Sequence, residues 1–186
     1  MKRRLQTIAL VWMCIATSGC LRAVQLDDGV LKGRMQFTPP PGWEISRNYR
    51  YLGSHNVILI SPSRHATVSV QMLPLEDRAR DVPLDLLGET LIGNAGRSLG
   101  IETTLTSKHE VVLADRRAYA FTGWRKHGPN ETDVTAIVTR SDRHTVLVIL
   151  TAPRQNIGEY ADIVELVMES LIISDEPAPP ARLDSW

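Results

Sequence analysis

At 186 residues the chain has room for one domain of ordinary size and a sizeable core. Twenty-one basic and 21 acidic side chains leave a formal net charge of zero, which excludes the strongly basic balance of a nucleic-acid-binding protein. Hydrophobic residues at 43% and charged residues at 23% exclude a disordered chain, and aromatics at 5% argue against a sugar-gripping or base-stacking surface.

Lys2, Arg3 and Arg4 precede an apolar run from Leu5 to Ala16, and Thr17, Ser18 and Gly19 then lead into Cys20. A positive start, a short apolar stretch and small residues make the layout of a secretory signal. A membrane-spanning helix needs about 20 apolar residues; here Arg22 stops the run short. Ser18-Gly19-Cys20 resembles the lipobox of bacterial lipoproteins, departing from it at Thr17, where an aliphatic residue is usual. The resemblance implies cleavage between Gly19 and Cys20, acylation of the Cys20 thiol and of the new amino terminus, and a lipid anchor in the membrane. Leu21 stands where an aspartate would favour inner-membrane retention, so the same resemblance implies the outer membrane, with the domain facing the periplasm. Cys14 leaves with the signal, and the one remaining cysteine allows no intramolecular disulfide.

Four segments follow: a signal peptide over 1–19, a lipidated cysteine and tether over 20–34, a folded domain over 35–174 and a Pro-rich disordered tail over 175–186. Residues 21–34 mix charge and glycine without a sustained period. Met35 to Thr38 reads as a short strand running into Pro39-Pro40-Pro41-Gly42-Trp43, and Trp43 and Ile45 share one face beyond it. Val57 to Ile60 is a strong strand. Ala66, Val68, Val70 and Met72 alternate with Thr67, Ser69 and Gln71, the period-two pattern of a half-buried strand. The two form a hairpin around Ser61 to His65.

Leu84, Leu87, Leu91, Ile92, Ala95 and Leu99 recur at three and four residues, so a helix is expected, ending near Gly100. Gly88, Gly93 and Gly96 weaken it and let it sit close to a sheet. Strands are expected over 104–113, 117–126, 131–140 and 144–152, separated by turn-like breaks. Val146 to Leu150 is apolar throughout and belongs at the sheet centre. A closing helix places Ile157, Tyr160, Ala161, Val164, Val167, Met168 and Leu171 on one face. Pro177, Pro179 and Pro180 then exclude regular structure. The fold class is α+β: an antiparallel sheet with an early hairpin, a helix, a strand meander and a C-terminal helix, both helices on one face.

This order, headed by Phe37-Thr38-Pro39-Pro40-Pro41-Gly42-Trp43, resembles the fold shared by PsbP-type photosystem subunits, the Ran-binding Mog protein and DcrB-like bacterial lipoproteins. The resemblance spans residues 35–174. It implies a binding or assembly subunit and not an enzyme.

No motif for catalysis or metal binding is present. The five histidines lack metal-ligand spacing, and His65, His127 and His144 read as solvated turn residues. No nucleophile elbow or phosphate loop occurs. Trp43 is expected in the core, whereas Trp124 borders the turn at His127 and stands open to core packing or to ligand contact. Arg47, Arg50 and Arg64, with Arg78 and Arg80, form a candidate patch near the hairpin end for an acidic partner or lipid headgroups. The reading is a non-catalytic, membrane-tethered binding or assembly module of the cell envelope. Its partners are the membrane, through the lipid, and another envelope protein; no cofactor, metal or nucleic acid is expected. The alternative is a carrier or sensor of a small apolar ligand held between sheet and helix.

Overall fold

Period-two patterning pairs into two antiparallel sheets in the computed structural model, which describes residues 23–27, 34–51, 53–97, 100–154 and 157–174. The segment expected to be a signal peptide, Cys20 and the tail from 175 onward lie outside the described residues. Strands β1 (Val24–Asp27) and β2 (Arg34–Phe37) form a small sheet with β10 (Ile172–Ser174), in the order β1-β2-β10. The large sheet has seven strands: β3 (Glu44–Tyr51), β4 (Ser54–Ile60), β5 (Thr67–Pro74), β6 (Glu102–Leu113), β7 (Arg116–His127), β8 (Asn130–Arg140) and β9 (His144–Pro153). Their order is β3-β4-β5-β9-β8-β7-β6, antiparallel throughout. A one-turn helix α1 (Asp77–Arg80) and the longer α2 (Leu84–Arg97) join β5 to β6. A 3-10 turn at Ile157–Tyr160 leads into α3 (Ala161–Glu169). This is the expected α+β order of hairpin, helix, meander and closing helix, with the apolar β9 at the centre.

The large sheet is covered on both faces, so the helices do not share one. On one face Val57, Leu59, Val68, Val70, Met72, Val146, Val148 and Leu150 pack with the small sheet and with Val164 and Val167 of α3. On the other, α2 lies over β6, β7 and β8, and Ile92 packs with Phe121, Val134, Ala136, Val138, Leu147 and Ile149. Every residue from His144 to Leu150 is therefore buried. That includes His144, which was expected to be a solvated turn residue. It is fully buried because it already belongs to the central strand, paired with Pro74 of β5.

The segment expected to be a tether also takes part in the fold. β1 pairs antiparallel with β2, Val24 opposite Phe37 and Leu26 opposite Met35, and both Val24 and Leu26 are buried in the main core. Four alternating residues are too few to stand out in a charged sequence, and their apolar side chains find cover only through partners distant in the chain. The domain thus reaches back at least to Val24. At its other end, the Thr38 N–H donates to Ser170 Oγ at 3.0 Å, fixing β2 to the end of α3.

Two glycines decide how α2 sits. A Cβ at Gly88 would lie 2.6 Å from the Phe121 ring, and one at Gly96 would lie 2.9 Å from the Ile101 carbonyl oxygen. Gly88, Ile92 and Gly96, spaced by four, form the stripe on which the helix meets the sheet, while Leu86 is 48% exposed. Lys108 Nζ on β6 donates to Asp85 Oδ2 at 2.7 Å and Glu89 Oε1 at 2.9 Å, clamping the outer side of the helix. The hydrogen bond from Lys108 holds the Asp85 carboxyl below its ordinary range, and the two carboxylates raise Lys108.

Candidate functional site

α2 covers only half of its face of the large sheet. Over β5 and β4 the sheet is open, and the pattern of β5 shows it. Its inward residues are buried, whereas Thr67, Ser69 and Gln71 are only half-buried and polar. Between this uncovered floor and the C-terminal end of α2 lies a half-open trough of about 500 Å³. That is within the usual range for small-molecule sites, roughly 300–1,000 Å³.

Its floor is Thr67, Ser69 and Gln71 of β5, Ile149 and Thr151 of β9, Ile58 of β4 and Thr132 of β8. Ala95 and Ile101 form the helix-side wall, positioned by the tight Gly96 turn in which the Ile101 N–H donates to the Gly96 carbonyl at 2.9 Å. Tyr49 of the edge strand closes one side, and Arg125, His127 and Asn130 the other. Gln71 Nε2 donates to Ser69 Oγ at 2.9 Å, which orients both floor side chains.

Arg125 is the unusual member. On β7 it lies opposite Thr103 of β6 and Thr132 of β8. Its Nε and Nη2 are shut off from solvent and meet no hydrogen-bond partner among the described residues. The Thr103 Oγ is in the same condition. Burial alone pulls the Arg125 guanidinium below its ordinary pKa, yet an arginine remains charged at neutral pH. Neighbouring carboxylates do not answer it: Arg154 Nη1 donates to Glu131 Oε2 at 2.8 Å, and its Nε is 4.0 Å from Asp133 Oδ1. Among the described residues no acidic side chain lines the trough.

The site residues expected from sequence scatter. Arg47 and Arg50 are exposed on β3, the edge strand, but β-sheet alternation puts them on opposite faces. Arg64 is exposed in the β4–β5 turn with a left-handed backbone, φ 62°. Trp124 is half-buried and lies beside Arg125 on β7, so the two side chains point to opposite faces. Trp43 is in the core, edge-on to Tyr160 at 6.0 Å between ring centroids. Sequence reasoning did not single out Arg125. Its neighbours Lys126 and His127 make the stretch look like a charged strand end, and only the pairing of β6, β7 and β8 shows it enclosed.

With the geometry in place, solved structures supply the fold. Cyanobacterial PsbP (CyanoP) from Synechocystis sp. PCC 6803 superposes with a TM-score of 0.60 at 13% identity, over 84% of this chain and 95% of that one. The fold is PsbP-like. Two further structures align with TM-scores below 0.5. LpqN of Mycobacterium tuberculosis, involved in cell envelope biogenesis, scores 0.47 at 12% identity over 82% of this chain and 91% of its own. PA94 of Pseudomonas aeruginosa, a protein of unknown function, scores 0.48 at 11% identity over 77% and 92%. No family model matches the chain, and no curated protein matches its sequence significantly. The PsbP-like fold does not by itself carry a function across.

Proposed function

We propose that this chain is a non-catalytic binding module of the cell envelope, tethered through lipid on Cys20, that holds a small organic ligand in the trough between α2 and the large sheet. One observation carries the reading: a ligand-sized concavity on a sheet face that α2 leaves half uncovered, with apolar Ile58, Ala95, Ile101 and Ile149 set among convergent hydroxyl and amide groups. Such mixed lining is typical of sites that enclose an apolar body and orient it by a few polar contacts. The groups on offer bind and orient; no lining hydroxyl is hydrogen-bonded to a histidine or carboxylate among the described residues, as an activated nucleophile would be.

Ligand occupancy tests the site. Native mass spectra of the full chain extracted from its own membranes should show a small organic adduct that a trough-filling Ser69→Phe variant lacks. Identical spectra for the two would overturn the trough as the ligand site. Cellular fractionation tests the tether. Cys20→Ser should shift the protein from the detergent fraction to the soluble periplasmic fraction, or leave an uncut precursor. Parent-like fractionation and migration would refute the lipid anchor.

A second reading, docking of another envelope protein, is favoured by β3. Every residue of this edge strand is exposed, including Tyr51 at 67% and Ile45 at 48%, and an open edge is a template for strand addition. Arg50→Pro, next to the Tyr51–Ser54 pair that closes the hairpin and on the alternation whose N–H faces the outer edge, would obstruct that pairing while leaving every trough-lining side chain in place, so loss of a partner complex with ligand occupancy retained would separate the two roles.

A further inference from the structure

We infer that the ligand of the trough is an organic anion, a carboxylate with a compact apolar body, whose charged group is bound by Arg125 in a bidentate contact. The inference rests on the trough being a ligand site and names the chemistry it selects.

Native proteins rarely leave buried N–H groups of a side chain without acceptors, and each exception calls for a missing partner. Arg125 presents two, Nε and Nη2. This pair is the side-on fork of a guanidinium, whose spacing matches the two oxygens of a carboxylate. Lysine would supply a single point charge in its place.

The surroundings are biased toward an anion. Among the described residues the trough's lining contains two groups able to carry positive charge, Arg125 and His127, and no carboxylate. Asn130 and Thr132, on the strand next to Arg125, add neutral donors. The adjacent carboxylates, Glu131 and Asp133, alternate to the opposite face and turn to Arg154. A cation enclosed with donors and kept apart from nearby acids is suited to receive its counter-charge from outside. Ile149, Ile58, Ala95 and Ile101 set the rest of the ligand: an aliphatic or aromatic body lying along the floor toward β4.

Octanoate and its neutral isostere octanamide share this shape and differ in charge. Both are titrated calorimetrically into the full chain in maltoside micelles, with micelles alone as the blank. Octanoate should bind saturably, and octanamide about tenfold or more weaker, the value of one buried charge-assisted contact. Arg125→Gln should weaken octanoate far more than octanamide and so abolish the preference, and Arg125→Lys should restore only part of it. Thermal midpoints of both variants at or above the parent's show that the loss is not unfolding. Equal binding of the two probes, or an unaltered preference in Arg125→Gln, overturns the anion inference. If Ser69→Phe nevertheless removes both probes, the trough survives as a ligand site of another chemistry. No saturable binding of either probe, or binding indifferent to Ser69→Phe, overturns both readings.

Discussion

Each buried hydrogen-bonding group left without an acceptor costs about 1–3 kcal/mol, and Arg125 leaves two such N–H groups on a charged side chain. Arg140 shows the contrasting arrangement. Its Nη1 donates to the Ala79 and Val82 carbonyls at 3.0 Å each, and so ties the loop ahead of α2 to β8. Arg140 is a structural arginine, whereas Nε and Nη2 of Arg125 make no such tie among the described residues. Arg125→Met keeps the packing of the aliphatic stem and removes the desolvated charge. The ligand-free variant should therefore melt higher than the parent, by about 2–4 °C for each kcal/mol recovered. Thermal denaturation in ligand-free buffer checks this. A lower midpoint would mean that Arg125 props the fold through contacts of its own. Nothing in the sequence around Arg125 separates it from Lys126 or Arg140. The distinction arises from strand alternation and from Arg154 holding Glu131 and Asp133 on the other face.

Elements whose cover lies along their whole length were legible. β5 shows its half-buried state in the alternation of Val68, Val70 and Met72 with Thr67, Ser69 and Gln71, and β9 its central place in an unbroken apolar run. The buried positions of α3, Val164 and Val167, fall on the expected helical face. α2 was legible as a helix and in part in its packing: Ile92 lay on the expected stripe and Gly88 and Gly96 were expected to bring the helix close to the sheet, whereas Leu84 and Leu91 are only partly buried beside it. β1 was not legible, since its four residues gain their burial from β2 and the core and carry almost no periodic signal of their own. Leu26 is fully buried, so Leu26→Ala should destabilise by about 2–5 kcal/mol. Deletion of residues 21–33 should lower the melting midpoint further by also unpairing β2. An unchanged midpoint for Leu26→Ala in chemical or thermal denaturation would show that β1 contributes nothing to the core.

At the scale of the molecule, the two faces of the large sheet are finished differently. One is sealed by the small sheet and α3; the other is sealed by α2 over β6 to β9 and left open over β5 and β4. Closing the second face would have needed a longer helix or apolar residues at Thr67, Ser69 and Gln71, and the chain has neither. The open half, Tyr49 of the edge strand and the enclosed Arg125 meet in one trough. The sequence showed the early hairpin, the strand meander and the central place of β9, but not the strand order or the small sheet. It did not show the trough, because that depends on how far α2 extends across strands distant in the chain. None of the helices among the described residues is long and apolar enough to cross a membrane. The most direct measurement is a pair of ¹H–¹⁵N correlation spectra of the full chain, with and without octanoate. Saturable shifts confined to the backbone amides of Ser69, Gln71, Ile101, Arg125 and Thr132 are the predicted result. Shifts clustered instead on β1, β2 and α3, or spread evenly over the chain, would contradict it.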